Sequence, residues 1–167
     1  MTSLQVDQTL LEAVIKGTTA GLSMAGIAPP PVGASRFFDA RRPVSVIIGV
    51  VGDNNGSVTV NMSEDAMLWL AGKMLLDDGL EANEEAMDAI LEVGNLVAGA
   101  IKEELTGTEH EAQNISVPSI IMGAAYSVMY TRGMNTVTVE FELEDMPLSK
   151  MSDRFMTTTI SLMRKVA

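Results

Sequence analysis

Asp88, Glu92 and Asn95 stand four and three residues apart within Asn83–Leu105 (NEEAMDAILEVGNLVAGAIKEEL). At about 100° per residue they share one stripe of a helix. The stripe carries two carboxylates, able to accept hydrogen bonds or meet a cation, and one amide that can donate and accept. Gly99 continues it one turn later, where a missing side chain lets another surface approach, and the apolar Leu96 falls at its edge. Spacing alone leaves two readings open: a solvated face or a contact surface. A mid-helix Asn is mildly unfavourable, and Gly94 and Gly99 each cost about 1 kcal/mol against Ala, so this helix carries penalties that a packing or contact requirement would explain.

Composition removes most other chemistry. The 167 residues include no Cys and one His, which excludes disulfide frameworks, thiolate zinc sites, cysteine nucleophiles and any two-histidine metal site within one chain. Eleven Lys+Arg against 22 Asp+Glu give a formal charge of −11, which opposes binding to nucleic acid or an anionic membrane. His110, in the polar stretch Thr106–Gln113, reads as a solvated loop histidine, and Arg41-Arg42 as a solvated strand start. Trp69 reads as core support. The 13 Met residues read as adaptable core filling. The first thirty residues lack the basic start and apolar run of an export signal, and Val44–Val51 is far short of the roughly 20 residues of a membrane helix. A cytoplasmic location is expected.

One domain over residues 1–167 is expected from the length. Apolar spacing predicts a first helix over residues 4–23, ended by Ala28-Pro-Pro-Pro31, which begins a connector. Pro43–Val51 reads as a buried strand, Gly52–Gly56 as a turn, and Ser57–Met62 as the returning strand. Ser63 is placed to cap a second helix running to about Leu76, and Asn83 to cap the third, with Gly107 past its end. Met87, Ile90, Leu91, Gly94, Ala98, Ile101 and Leu105 form that helix's expected core face. Strands are predicted over Asn114–Met122, Ala125–Thr131, Thr136–Leu143 and Arg154–Arg164. The fold class is therefore α+β, an antiparallel sheet with packed helices.

An internal echo suggests a duplicated helix–strand unit. Ser57–Val60 (SVTV) is matched by Thr136–Val139 (TVTV), Glu64-Asp65 by Glu144-Asp145, and Glu12 stands 80 residues before Glu92.

The pattern Asp88-x3-Glu92-x2-Asn95-x22-Pro118 resembles the signature of the CheC/CheX/FliY family of chemotaxis phosphatases. The surroundings are similar to CheX in particular. Gly56-Ser57-Val58 leads into a helix start at Ser63-Glu64, a short acidic turn follows, and then Asn83-Glu84-Glu85. In the echo, Ile15 stands where the first copy would carry its Asn, so one motif is intact, as in CheX-type proteins.

The resemblance implies a phosphatase acting on the aspartyl phosphate of a CheY-type response regulator. Asn95 would orient the attacking water and Glu92 would pair with the regulator's Lys. Asp88 would support, Pro118 would shape the neighbouring strand or loop, and Leu96 and Gly99 would be contact positions. No cofactor of its own is implied, Mg²⁺ being supplied by the regulator. A homodimer joined at sheet edges is implied too, and Thr136–Leu143 could offer such an edge. The other reading of the same helix is a non-catalytic adaptor that binds a receiver domain.

Overall fold

A computed structural model of the chain describes residues 5–123, 126–147 and 151–163. Its elements are α1 (Gln8–Ser23), β1 (Pro31–Ser35), β2 (Val44–Val51), β3 (Gly56–Met62), α2 (Glu64–Leu75), α3 (Glu84–Glu104), β4 (Asn114–Ile115), β5 (Ser119–Met122), β6 (Met134–Glu142) and β7 (Phe155–Met163), with a 3-10 turn at Met151–Arg154. The seven strands form one antiparallel sheet in the order β1-β6-β7-β3-β2-β4, and β5 also pairs with β2. Among the described residues no helix is long and apolar enough to cross a membrane.

Alternation along the strands sorts the two faces. Val46, Ile48, Val58, Val60, Val137, Val139, Phe141, Ile160 and Leu162 are buried in the main core with Leu10, Val14, Val93, Val97 and Ile101 of α1 and α3. Their neighbours in sequence, Ser45, Thr59, Asn61, Thr138, Thr157, Thr159 and Ser161, occupy the opposite face and are buried too. Hydroxyl pairs stitch that polar face together, Thr138 with Thr159 at 2.8 Å and Thr136 with Ser161 at 2.7 Å.

This second layer explains the strand that is missing. Ala125 and Arg164, like Leu4 of the expected first helix, lie outside the described residues. Residues 126–131 form no strand beyond an isolated bridge between Tyr126 and Ala40. Tyr130 instead lies over the sheet, its hydroxyl beside the side chains of Ser57, Thr59 and Ser161. β-Rich composition there serves a cover for the polar face, not a ladder. Pro31–Ser35, expected as connector, is an edge strand on β6. Thr136–Leu143 is no free edge, because β6 is paired on both sides, with β1 and β7.

The predicted strand Asn114–Met122 is broken. Ile115 pairs with Val50 and Ser119 with Ile47, so three residues, Ser116–Pro118, stand opposite Ile48 and Gly49. One extra residue against a ladder is a β-bulge.

Exchanging β1 with β5, β2 with β6 and β3 with β7 reproduces the strand order read backwards. The helices obey the same exchange. Gly17 of α1 lies against Ile101 of α3, and Gly21 against Val97; moving 80 residues along the chain from Gly17 and Gly21 gives Val97 and Ile101. The SVTV/TVTV echo does not follow this exchange, since it matches β3 with β6.

Candidate functional site

The third helix starts where its sequence says. The Asn83 side chain accepts from the Ala86 N–H at 2.9 Å, and Glu84 and Glu85 fill the first turn, facing the positive helix end. The helix is held on two sides. Glycines of α1 let it pack directly against Val97 and Ile101, and its own Gly94 rests on Val46 and Ile48 of β2. Its buried face is accordingly wider than the expected stripe, adding Ala86, Ala89, Val93 and Val97, while Met87 and Leu91 are only half-buried.

What two-sided packing leaves outside is the polar stripe. Asp88 and Glu92 are exposed and Asn95 is half-buried. Together with Leu91 they form one wall of an open depression of about 460 Å³, and Ile115, Ser116, Val117 and Pro118 form the other. Among the described residues, the side chains of Asp88, Glu92 and Asn95 have no hydrogen-bond or ion-pair partner. Glu12, the echo of Glu92, differs: it accepts from Gln8 Nε2 at 2.8 Å and meets Lys16 at 3.9 Å. An unpartnered carboxylate and amide side by side in an open hollow can take up a cation and a hydrogen-bonding ligand, water included.

The bulge wall is fixed by one hydroxyl. Ser116 Oγ accepts from the Gly49 N–H at 2.8 Å and donates to the Val117 carbonyl at 2.9 Å, while the Ser116 N–H donates to the Gly49 carbonyl at 2.9 Å. Val117 is left 83% exposed. Sequence reasoning passed over Ser116 and Val117; the signal available was Pro118, whose missing N–H marks an interruption in an otherwise β-rich run.

Of the residues singled out in the sequence, Asp88, Glu92, Asn95 and Pro118 meet in this depression. Leu96 and Gly99 do not line it. Leu96 is half-buried, and a Cβ on Gly99 would meet nothing within 4 Å.

Two minor expectations are corrected. His110 is no solvated loop residue: its Nε2 lies 2.8 Å from Asp7 Oδ2, and its side chain is only 14% exposed. Asp7 also caps α1 through the Leu10 N–H and accepts from Asn135 Nδ2 at 2.8 Å, so this cluster ties three segments together. Burial pushes the Asp7 carboxyl up, but those hydrogen bonds and the imidazole outweigh it and hold it below its ordinary value. Arg42 is likewise largely buried and paired with Glu140 at 3.1 Å, because it runs over the polar face of the sheet.

Solved structures with this fold include a chemotaxis protein CheX from Desulfovibrio desulfuricans, similar at 24% identity with a TM-score of 0.75 over 92% of this chain and 98% of that one. A CheC-like superfamily protein from Shewanella sp. PV-4 is 20% identical, with a TM-score of 0.76 over 95% and 100% of the two chains. The CheX–CheY–BeF3–Mg²⁺ complex from Borrelia burgdorferi contains a chain 21% identical, with a TM-score of 0.73 over 96% of this chain and 100% of that one. No curated protein matches the chain in sequence. The model of the family described as chemotaxis phosphatase CheX matches residues 44–142, a span that includes α3, the bulge and most of the sheet. With more than half of its length inside that match, this chain belongs to the CheX family.

Proposed function

We propose that this chain accelerates hydrolysis of the aspartyl phosphate on a CheY-type response regulator. The observation that carries the reading is the pairing of Glu92 and Asn95, both unpartnered, in one open depression on a helix held rigidly from behind. In this reading the helix enters the regulator's phosphorylation pocket. Asn95 holds a water in line with the phosphorus, and Glu92 pairs with the regulator's Lys, fixing register. Mg²⁺ is the regulator's, in keeping with the Borrelia complex, in which CheX is bound to CheY with BeF3 and Mg²⁺.

The division of labour suits the chemistry. Phosphoryl transfer through a loose transition state asks little covalent work of the protein, so catalysis is positioning plus charge stabilisation. An amide orients water without titrating, which keeps the role independent of pH near neutrality. Asp88 supports this face, and Pro118 shapes the opposite wall.

Copies of the chain are proposed to pair through strand edges with no second strand beside them among the described residues, β1 at one end of the sheet or β5 at the other.

The test is to incubate the protein with a phosphorylated receiver domain and Mg²⁺ and follow phosphate loss. Faster loss is expected. Binding without acceleration would replace the phosphatase by a receiver-binding adaptor, and neither would remove both.

A further inference from the structure

Building on the phosphatase reading, we infer that the bulge at Ser116–Pro118 is the docking half of the site. Val117 is its apolar anchor and Ser116 the residue that positions it. The occupant is the rim of a receiver domain's phosphorylation pocket.

The ladder itself pushes Val117 outward. Because Ser116–Pro118 stand opposite only Ile48 and Gly49, one residue must leave the pairing; Ser116 still donates its N–H to the Gly49 carbonyl, and Val117 stands out in solvent. It is the most exposed valine among the described residues, at 83%. A bulge that merely absorbed an insertion would have no reason to be braced, yet this one is. The Ser116 hydroxyl bridges the Gly49 N–H and the Val117 carbonyl. A Cβ on Gly49 would lie 3.1 Å from that hydroxyl oxygen, so the glycine leaves it room. Pro118 then restricts Val117 to extended backbone and asks for no ladder partner of its own.

Contact with a partner follows from shape. Val117 and Asn95 line opposite walls of the same depression. A molecule that fills the depression as far as Asn95 meets both walls, Val117 included.

Charge identifies the kind of molecule. Asp88 and Glu92 share the depression, and among the described residues no basic side chain lines it. Two carboxylates repel a bare phosphate monoester. A phosphoryl group that arrives already accompanied by a divalent cation and a Lys does not meet that repulsion, and a protein that carries it offers surface for Val117 to pack on. The hollow therefore selects a protein-borne phosphoryl group over a free one.

The experiment is a titration against a receiver domain activated with BeF3 and Mg²⁺, with turnover measured in parallel. Val117→Ala should weaken Kd about five-fold and Val117→Asp more than about tenfold, each raising KM with kcat changed less than about two-fold. Ser116→Ala should weaken Kd and Ser116→Thr should restore it, since Thr keeps the bridging hydroxyl. Unfolding temperatures of the variants establish that the fold is intact; an exposed side chain can be changed without cost to the core. An unchanged Kd for folded Val117→Asp overturns the inference. If the unsubstituted chain binds, responds to Val117 substitution and yet does not speed phosphate loss, the catalytic reading fails and this one stands. Absence of any binding overturns both.

Discussion

Gly94 of α3 lies against Val46 of β2 so closely that a Cβ on the glycine would be 2.5 Å from Val46 Cγ1. The residue next along the chain is Asn95. The contact that costs the helix its best local propensity is therefore the one that sets how far the amide stands from the sheet and from the bulge wall.

Gly94→Ala should push α3 away from β2. Overpacking of this kind costs about 1–3 kcal/mol, read as a lower urea midpoint with an unchanged slope. Turnover should fall more than stability alone explains, because Asn95 moves with the helix. Gly99→Ala is the control: a Cβ there meets nothing within 4 Å, and the change should be neutral or slightly stabilising.

Asn95→Ala should leave receiver binding intact while slowing phosphate release on the order of 10²-fold, the expected loss for one positioning group. Glu92→Ala should impair both Kd and kcat, since it would lose the pairing that fixes register. A normal rate of phosphate release by Asn95→Ala would reject the assignment.

Asp7 makes stability acid-sensitive. Its carboxyl is held below its ordinary value of 3.8, so the folded state binds that proton less readily than the unfolded chain. The stabilisation is complete above that ordinary value and is lost as pH falls through the lowered one. Asp7→Asn keeps a capping acceptor but cannot titrate, and should flatten the fall in unfolding free energy below about pH 4. Asp7→Ala should cost about 1 kcal/mol at neutral pH for the lost cap, with further loss from His110 and Asn135. Chemical denaturation across a pH series distinguishes the two variants.

Asn61 is fully buried on the polar face. Its amide donates to the carbonyls of Arg42 and Val44 and to Ser45 Oγ, and its oxygen accepts from the Arg42 N–H. Asn61→Leu would leave those groups unsatisfied beneath the covering segment. A loss of about 2–3 kcal/mol is expected, measured by thermal or urea unfolding.

Local signals made much of the fold legible. Ser63 and Asn83 cap the helices they were expected to cap, and the Gly52–Gly56 turn joins β2 to β3. β-Rich composition marked β6 and β7, the latter through its Thr and Ile content. What could not be read depends on distant partners. Pro31–Ser35 has little strand character of its own and becomes a strand because β6 lies beside it. Tyr130 looks like a strand residue and acts as a cover because the sheet's outer face is hydroxyl-rich. At the candidate site, helical spacing brought out Asp88, Glu92 and Asn95. The opposite wall depends on a register shift between strands more than sixty residues apart, which no local spacing reveals.

The two glycine contacts between α1 and α3 are interchanged when the helices trade places, yet only one helix presents a free amide. On α1 the corresponding position is Ile15, half-buried and packed on the core, and Glu12 is already taken by Gln8 and Lys16. The glycine contacts are thus matched between the two helices, and the exposed amide is not. One receiver per chain is therefore expected under the proposed function, and a titration should reach its plateau at equal numbers of the two proteins.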